Sequence, residues 1–327
     1  MRHESQALKR GRSTRARATP ASEGTPRRQN PPMSASWLMV LASFLFATMG
    51  VCVKLASTHY GAGEIVFYRG ITGALMIAAL ARWQGGSLRS AVPAMHFWRS
   101  LTGVTALCLW FYAIGKLPLA TAMTLNYMSS VWMALFLIGG AAILRTSKVD
   151  WRLVVTVLLG FAGVALILRP TFEQDQLWHG LVGLLSGMVS ACGYLQITAL
   201  GRAGEPDYRV VFYFSLGGVV AGALVTAWSG WHGHSPEGLA LLLAVGVLAT
   251  LAQLLMTRAY ATGRPLVNAS LQYLGIGYSF IYGVLLFKDR ITWWAVGGMG
   301  LIVGAGLAAT SLRSVATVKP ALATMET

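Results

Sequence analysis

An all-α membrane protein of ten transmembrane helices, built as two inverted five-helix repeats, is the fold class this sequence predicts. Three observations predict it. Of 327 residues, 55% are hydrophobic and only 11% charged, against about a quarter charged in a soluble domain, so too few charges remain to cover a surface in water. Apolar stretches of about 20 residues recur about ten times, each long enough at ~1.5 Å per residue to cross a hydrocarbon core of about 30 Å. The second set of five repeats polar landmarks of the first.

The first five stretches lie at 35–56, 63–82, 94–115, 118–143 and 151–169. The second five lie at 177–201, 208–229, 237–259, 265–287 and 292–312. Gly115-Lys116-Leu117-Pro118 and Gly263-Arg264-Pro265 are tight turns whose prolines open the following helix, where a missing N–H costs nothing. The landmarks that repeat are polar and aromatic. Tyr112-Ala-Ile-Gly-Lys-Leu-Pro-Leu119 matches Tyr260-Ala-Thr-Gly-Arg-Pro-Leu266, and Leu125-Asn126-Tyr127 matches Leu271-Gln272-Tyr273. Phe67-Tyr68-Arg69 lines up with Phe212-Tyr213-Phe214, and Gly73 with Gly218 at the same offset. Five spans per copy is an odd number, so the second copy enters the bilayer upside down. Such inverted repeats are a feature of secondary transporters. The chain thus divides into a basic tail at 1–34, repeats at 35–170 and 171–312, and a short tail at 313–327.

The net charge of +15 would suggest nucleic acid in a soluble protein, but its distribution argues for topology. Residues 1–33 carry eight Lys/Arg against Glu4 and Glu23, a composition that cannot bury a core and reads as disordered. No nucleic-acid-binding fold or aromatic platform accompanies it. With that tail inside, Arg82, Arg89, Arg99, Arg145, Lys148, Arg152, Arg202, Arg209, Arg258 and Arg264 fall on inner loops or span ends, as do Arg313 and Lys319 in the C-terminal tail. Lys116, Arg169, Lys288 and Arg290 are left outside. Twenty against four places both termini in the cytoplasm; a bacterial inner membrane is the expected location, with an organelle transit peptide as the alternative reading of the Arg-rich, acid-poor leader. Cys52, Cys108 and Cys192 lie in apolar spans without a CxxC partner, so neither a disulfide nor a metal site is expected. No cofactor is expected either.

On these residues the chain resembles the EamA-type transporters of the drug/metabolite transporter superfamily. The resemblance rests on the ten-span count, Lys54 near the end of the first span, the Phe67–Gly70 run, and the Tyr-Ala…Gly…Pro-Leu turns of both halves. It implies a pseudo-symmetric bundle around a central substrate cavity, lined by the first, third, fourth, sixth, eighth and ninth spans. It also implies movement of amino acids or other small metabolites. The chain departs from the family pattern where a proline often follows the tyrosine of the fourth and ninth spans. Met128-Ser129-Ser130 and Leu274-Gly275-Ile276-Gly277 stand there instead. Leu144-Arg145-Thr146 replaces the acidic residue that closes the fourth span, whereas its second-half equivalent remains as Asp289.

Ionisable residues inside a span cost about 2.5–3.5 kcal/mol on insertion scales and point to a pathway. Lys54, Arg69 and Glu64 fall toward the outer half. They form either a basic patch that draws a carboxylate or phosphate, or an end cluster in which Glu64 neutralises one cation and the other snorkels. Glu64 is also the one candidate for coupling, since the histidines all lie in tails, loops or span ends. A facilitator or exchanger therefore fits better than a proton-driven carrier. Asn126, Tyr127, Gln272 and Tyr273 occupy equivalent places and would meet at one site, with Trp110, Tyr112, Gln196 and Gln253 nearby. Inter-helix hydrogen bonding is their alternative role. Gly218/Gly222 and Gly300/Gly304 read as close helix contacts and would serve equally in a homodimer. No HExxH, paired intramembrane aspartates or GxSxG turn points to an enzyme. A membrane sensor or scaffold would need a sizeable soluble domain, and no loop exceeds about 15 residues.

Overall fold

The computed structural model describes residues 34–143, 151–173, 176–263, 268, 271–289, 292–305 and 307–308. Both tails, the Leu144-Arg145-Thr146 segment and Arg264-Pro265 lie outside the described residues. Among the described residues every regular element is a helix: α1 Ala35–Ala56, α2 Ala62–Trp83, α3 Pro93–Lys116, α4 Leu119–Tyr127, α5 Ser129–Ile143 and α6 Trp151–Glu173. There follow α7 Leu177–Arg202, α8 Asp207–Ser229, α9 Pro236–Thr262, α10 Leu274–Phe287 and α11 Trp293–Ala305. Six of these (α1, α2, α3, α7, α8 and α9) are long and apolar enough to cross a membrane.

The helix starts follow from their caps. Ser34 Oγ accepts from Trp37 N at 3.4 Å, and Ser235 Oγ accepts from Gly238 N at 3.0 Å with Pro236 in the first turn. Each thereby satisfies an amide that the helix leaves orphaned. Pro93 opens α3 in the same permissive position. Around the bundle, exposed tryptophans stand at helix ends: Trp37, Trp83, Trp98, Trp151, Trp178, Trp228 and Trp293. Exposed leucines such as Leu75, Leu158, Leu224 and Leu243 lie between them along the helices. An amphipathic ring at each end of an apolar face is the signature of a membrane interface.

The helix pairings are reciprocal. α1 packs on α9 as α7 packs on α3, α1 touches α10 as α7 touches α4, and α2 lies along α8. The α2–α8 contact is close because glycines line it. A side chain at Gly222 would come within 2.5 Å of Phe67 N and 2.8 Å of Gly63 O, and one at Gly70 within 2.7 Å of Val219 N. Gly218 and Gly222 therefore serve contact within the chain. Among the described residues, nothing lies within 4 Å of where a Cβ at Gly300 or Gly304 would sit. Gly163 of α6 likewise lets Gly298 O of α11 approach, to 2.8 Å of where a Cβ would sit.

The stretch expected at 118–143 is interrupted. α4 ends at Tyr127, Met128 forms a turn, and α5 resumes at Ser129. A matching turn falls at Tyr273, just before α10. Both interruptions occur without the proline, so the break belongs to the packing around the two tyrosines and not to a missing donor.

Gly222→Val should force α2 and α8 apart, costing about 1–3 kcal/mol through overpacking and lowering the melting temperature of the purified protein. Gly300→Ala, in open space, should not lower it.

Candidate functional site

A cavity forms between α1, α2, α3, α4, α7, α8 and α9, with Gln272 just before α10, at the level where α4 breaks. Its void is about 50 Å³, room for a few waters. Six of the residues singled out by sequence line it: Arg69, Trp110, Asn126, Tyr127, Gln253 and Gln272.

One wall is cationic. Arg69 and Arg99 are 3% and 4% exposed, and their Cζ atoms lie 4.9 and 4.5 Å from the centroid of the Phe214 ring. Each makes a cation–π contact worth about 0.5–2 kcal/mol, far less than the cost of burying an unpaired charge. Neither guanidinium has a carboxylate within 4.0 Å among the described residues, and both Nε atoms are buried without a partner. Arg99 fits because two glycines make a slot for it. A methyl at Gly103 would collide with Arg99 Nη1 and lie 2.9 Å from Phe214 Cε2, and Gly193 faces the same Nη1 at 3.4 Å.

The second wall carries amides and hydroxyls. Asn126 Nδ2 donates to Ser186 Oγ at 3.0 Å and Ser190 Oγ at 3.2 Å. The α4 backbone presses onto Gly187 of α7, where a Cβ would stand 2.5 Å from Leu125 O, and this close approach sets the amide in place. Gln272 hydrogen-bonds the Tyr194 hydroxyl, and the Tyr194 ring stacks on Tyr260 at 5.4 Å. The Tyr127 ring lies on Gly275, where a Cβ would be 2.7 Å from its Cε2. Its hydroxyl and Trp110 Nε1 are buried without partners. Phe46, Met49, Leu107 and Met256 complete an apolar side.

The remaining sequence candidates stand elsewhere. Tyr112 shares a 3.0 Å hydrogen bond with His179 Nδ1, and Gln196 Oε1 accepts from Thr102 Oγ1 at 2.6 Å. Tyr273 bonds Ser130, tying the two interrupted stretches together beside the cavity. Lys54 is not grouped with Arg69. Its Nζ donates to Leu117 O at 2.9 Å and lies 3.7 Å from Asp289 Oδ1, while Asp289 Oδ2 accepts from Leu119 N at 3.1 Å. Glu64 neutralises neither cation. It is fully buried and accepts from Gly61 N at 3.1 Å and His232 N at 2.9 Å, with His232 Nδ1 at 2.6 Å. Those donors cap α2 and tie it to the α8–α9 loop, so Glu64 stands apart from the cavity.

Arg99 is the residue sequence reasoning missed, since its place near the start of α3 put it among the inner end charges. The available signal was local: a glycine four residues on, one turn along the same face.

Residues 33–169 match the EamA-like transporter family. The pseudopaline exporter CntI of Pseudomonas aeruginosa is 36% identical over 277 residues, covering 83% of this chain and 94% of that protein. A riboflavin transporter of Brucella anthropi is 24% identical over 82% of this chain and 95% of its own length. A solved crystal structure shares the fold at a TM-score of 0.61 and 19% identity, spanning 86% of this chain and 98% of the other.

Because both arginines are buried with no carboxylate beside them among the described residues, Arg69→Met and Arg99→Met should each raise the melting temperature of the ligand-free protein, by about 1–4 kcal/mol of stability. Arg209→Met, which removes a partner of buried Glu205, should lower it. Destabilisation in all three variants would show that the two guanidinium groups are compensated.

Proposed function

This chain belongs to the EamA-like transporter family, and we propose that it is a secondary carrier that exports a small anionic or zwitterionic metabolite through the Arg69–Arg99 cavity. The observation that carries this reading is the pair of buried guanidinium groups on Phe214 with no carboxylate beside them. Such a wall is incomplete until a ligand brings negative charge, and bidentate carboxylate or phosphate recognition suits arginine. A ligand with two acidic groups, or one bridging both arginines, matches the charge. The amide wall of Asn126, Gln253 and Gln272 supplies donors and acceptors for the rest of the molecule, and Trp110 with Leu107 takes its apolar part. The similarity to a pseudopaline exporter makes pseudopaline the first compound to try, and export the first direction.

Ten spans in two inverted halves, 35–170 and 171–312, with both termini in the cytoplasm of a bacterial inner membrane, give this cavity its access to either side. The reciprocal pairings of α1–α9 with α7–α3, and of α1–α10 with α7–α4, support that arrangement. So does the meeting of Arg69 with its counterpart Phe214 across α2 and α8. Exchange or facilitated movement fits better than proton drive, because no carboxylate or histidine is among the described residues lining the cavity.

The test is flux in proteoliposomes loaded with pseudopaline, and in parallel with acidic and neutral amino acids. Arg69→Ala and Arg99→Ala should each cut flux of the transported anion by about 2 kcal/mol or more, roughly thirty-fold. Arg89→Ala, on an exposed loop, should behave as the parent. Arg209 is unsuitable as that control because it bonds Glu205. Equal flux in all three variants would remove the arginine pair from the pathway.

A further inference from the structure

A buried carboxylate stands at each end of the bundle. Glu64, in the first turn of α2, is held by His232 and Gly61 as described above. Glu205, in the turn between α7 and α8, is 8% exposed. It accepts from Ser90 Oγ and from Arg209 Nη1, both at 3.0 Å, and lies 3.1 Å from His96 Nε2. The His96 ring is 4.5 Å from that of Tyr213, whose hydroxyl donates to Leu88 O at 3.1 Å. Arg209 also donates to Ser87 O at 2.9 Å. Glu64 opens α2 and the Ser87–Ser90 loop follows its last turn, so the two carboxylates close opposite ends of one helix. The cavity lies between them.

Each carboxylate also bonds across the halves. Glu64 lies in 35–170 and is held by His232 of 171–312. Glu205 lies in 171–312 and is held by His96 and Ser90 of 35–170. At the Glu64 end the Lys54–Asp289 pair adds a second tie across the same seam. Carboxylates suit a seam that must open and shut. Trading a protein donor on a carboxylate for water costs about 1.5–3 kcal/mol per bond, a bounded cost, whereas separating an apolar interface forfeits about 25 cal/mol for every Å² exposed. Burial alone would raise the Glu205 carboxyl, but hydrogen bonds from His96, Arg209 and Ser90 hold it below the ordinary carboxylate range. Its tie is therefore intact at neutral pH and is lost as pH falls through that lowered value.

We infer that Glu205 with His96 and Ser90 forms the gate of one mouth of the carrier, and that Glu64 with His232, braced by Lys54–Asp289, forms the gate of the other. In this structure both are shut. One opens at a time while the other keeps the halves together. The assignment rests on the carrier reading above, but its test needs no transported substrate.

With Cys52, Cys108 and Cys192 replaced by alanine, Ser190→Cys puts one thiol in the cavity wall. A membrane-impermeant maleimide is applied to membrane vesicles of each orientation. Glu205→Gln should raise labelling several-fold from one face only. Glu64→Gln combined with Asp289→Asn should raise it several-fold from the opposite face only. Ser90→Ala keeps Glu205 paired with His96 and Arg209, so it decides the matter where Glu205→Gln does not fold. It should raise labelling from the same face by a smaller factor. Increases from the same face at both ends, or no increase from any variant that elutes as folded protein, would overturn the gates. The substrate reading would survive that result if flux still depended on Arg69 and Arg99.

Discussion

Positive charge buried in an apolar bundle, with no carboxylate beside it among the described residues, is the constraint around which this structure is arranged. Taking one ion out of water costs several kcal/mol even after relaxation, and Arg69 and Arg99 bring two such ions to the same phenyl ring. Contact with Phe214 recovers a small part of that cost. The rest must come from the surrounding packing or from a ligand.

The walls are rigid for a local reason. Glycines let α2 and α8 approach almost backbone to backbone, and Gly187 lets α4 press its carbonyls against α7. These contacts fix where Arg69, Phe214 and Asn126 stand. The Tyr127–Gly275 and Tyr273–Ser130 contacts join the two interrupted stretches beside the cavity. The polar chemistry thus sits where the helices are least regular, while the continuous helices around it present leucine and valine outward. The two ends are built differently. They close with exposed loops, histidines and carboxylates, groups whose hydrogen bonds water can replace.

Much of the fold was legible because the bilayer imposes its own ruler. The stretch expected at 35–56 matches α1 in both bounds, those at 63–82 and 94–115 differ from α2 and α3 by one residue at each end, and the one at 237–259 falls short of α9 by one residue at its start and three at its end. A run of apolar residues long enough to span lipid has few other places to be. Anomalous composition pointed toward the cavity: an amide, an indole, a phenol or an arginine inside a span needs a partner, and six such residues line it. Arg99 escaped because a charge near the start of a span reads as an end charge, and only the rotation of α3 turns it inward over Gly103.

Partnership was the part that distance along the chain concealed. Lys54, Glu64 and Arg69 fall within sixteen residues and read as one cluster, yet they serve three different places. Lys54 finds Asp289, Glu64 finds His232 at a separation of 168 residues, and Arg69 finds Phe214 and Arg99. Hydropathy alone determined where the chain meets lipid, since that depends on the sum of residues along a segment. Which charges meet a carboxylate and which do not depends on helix rotation and on contacts between segments far apart. Only the folded bundle decided that.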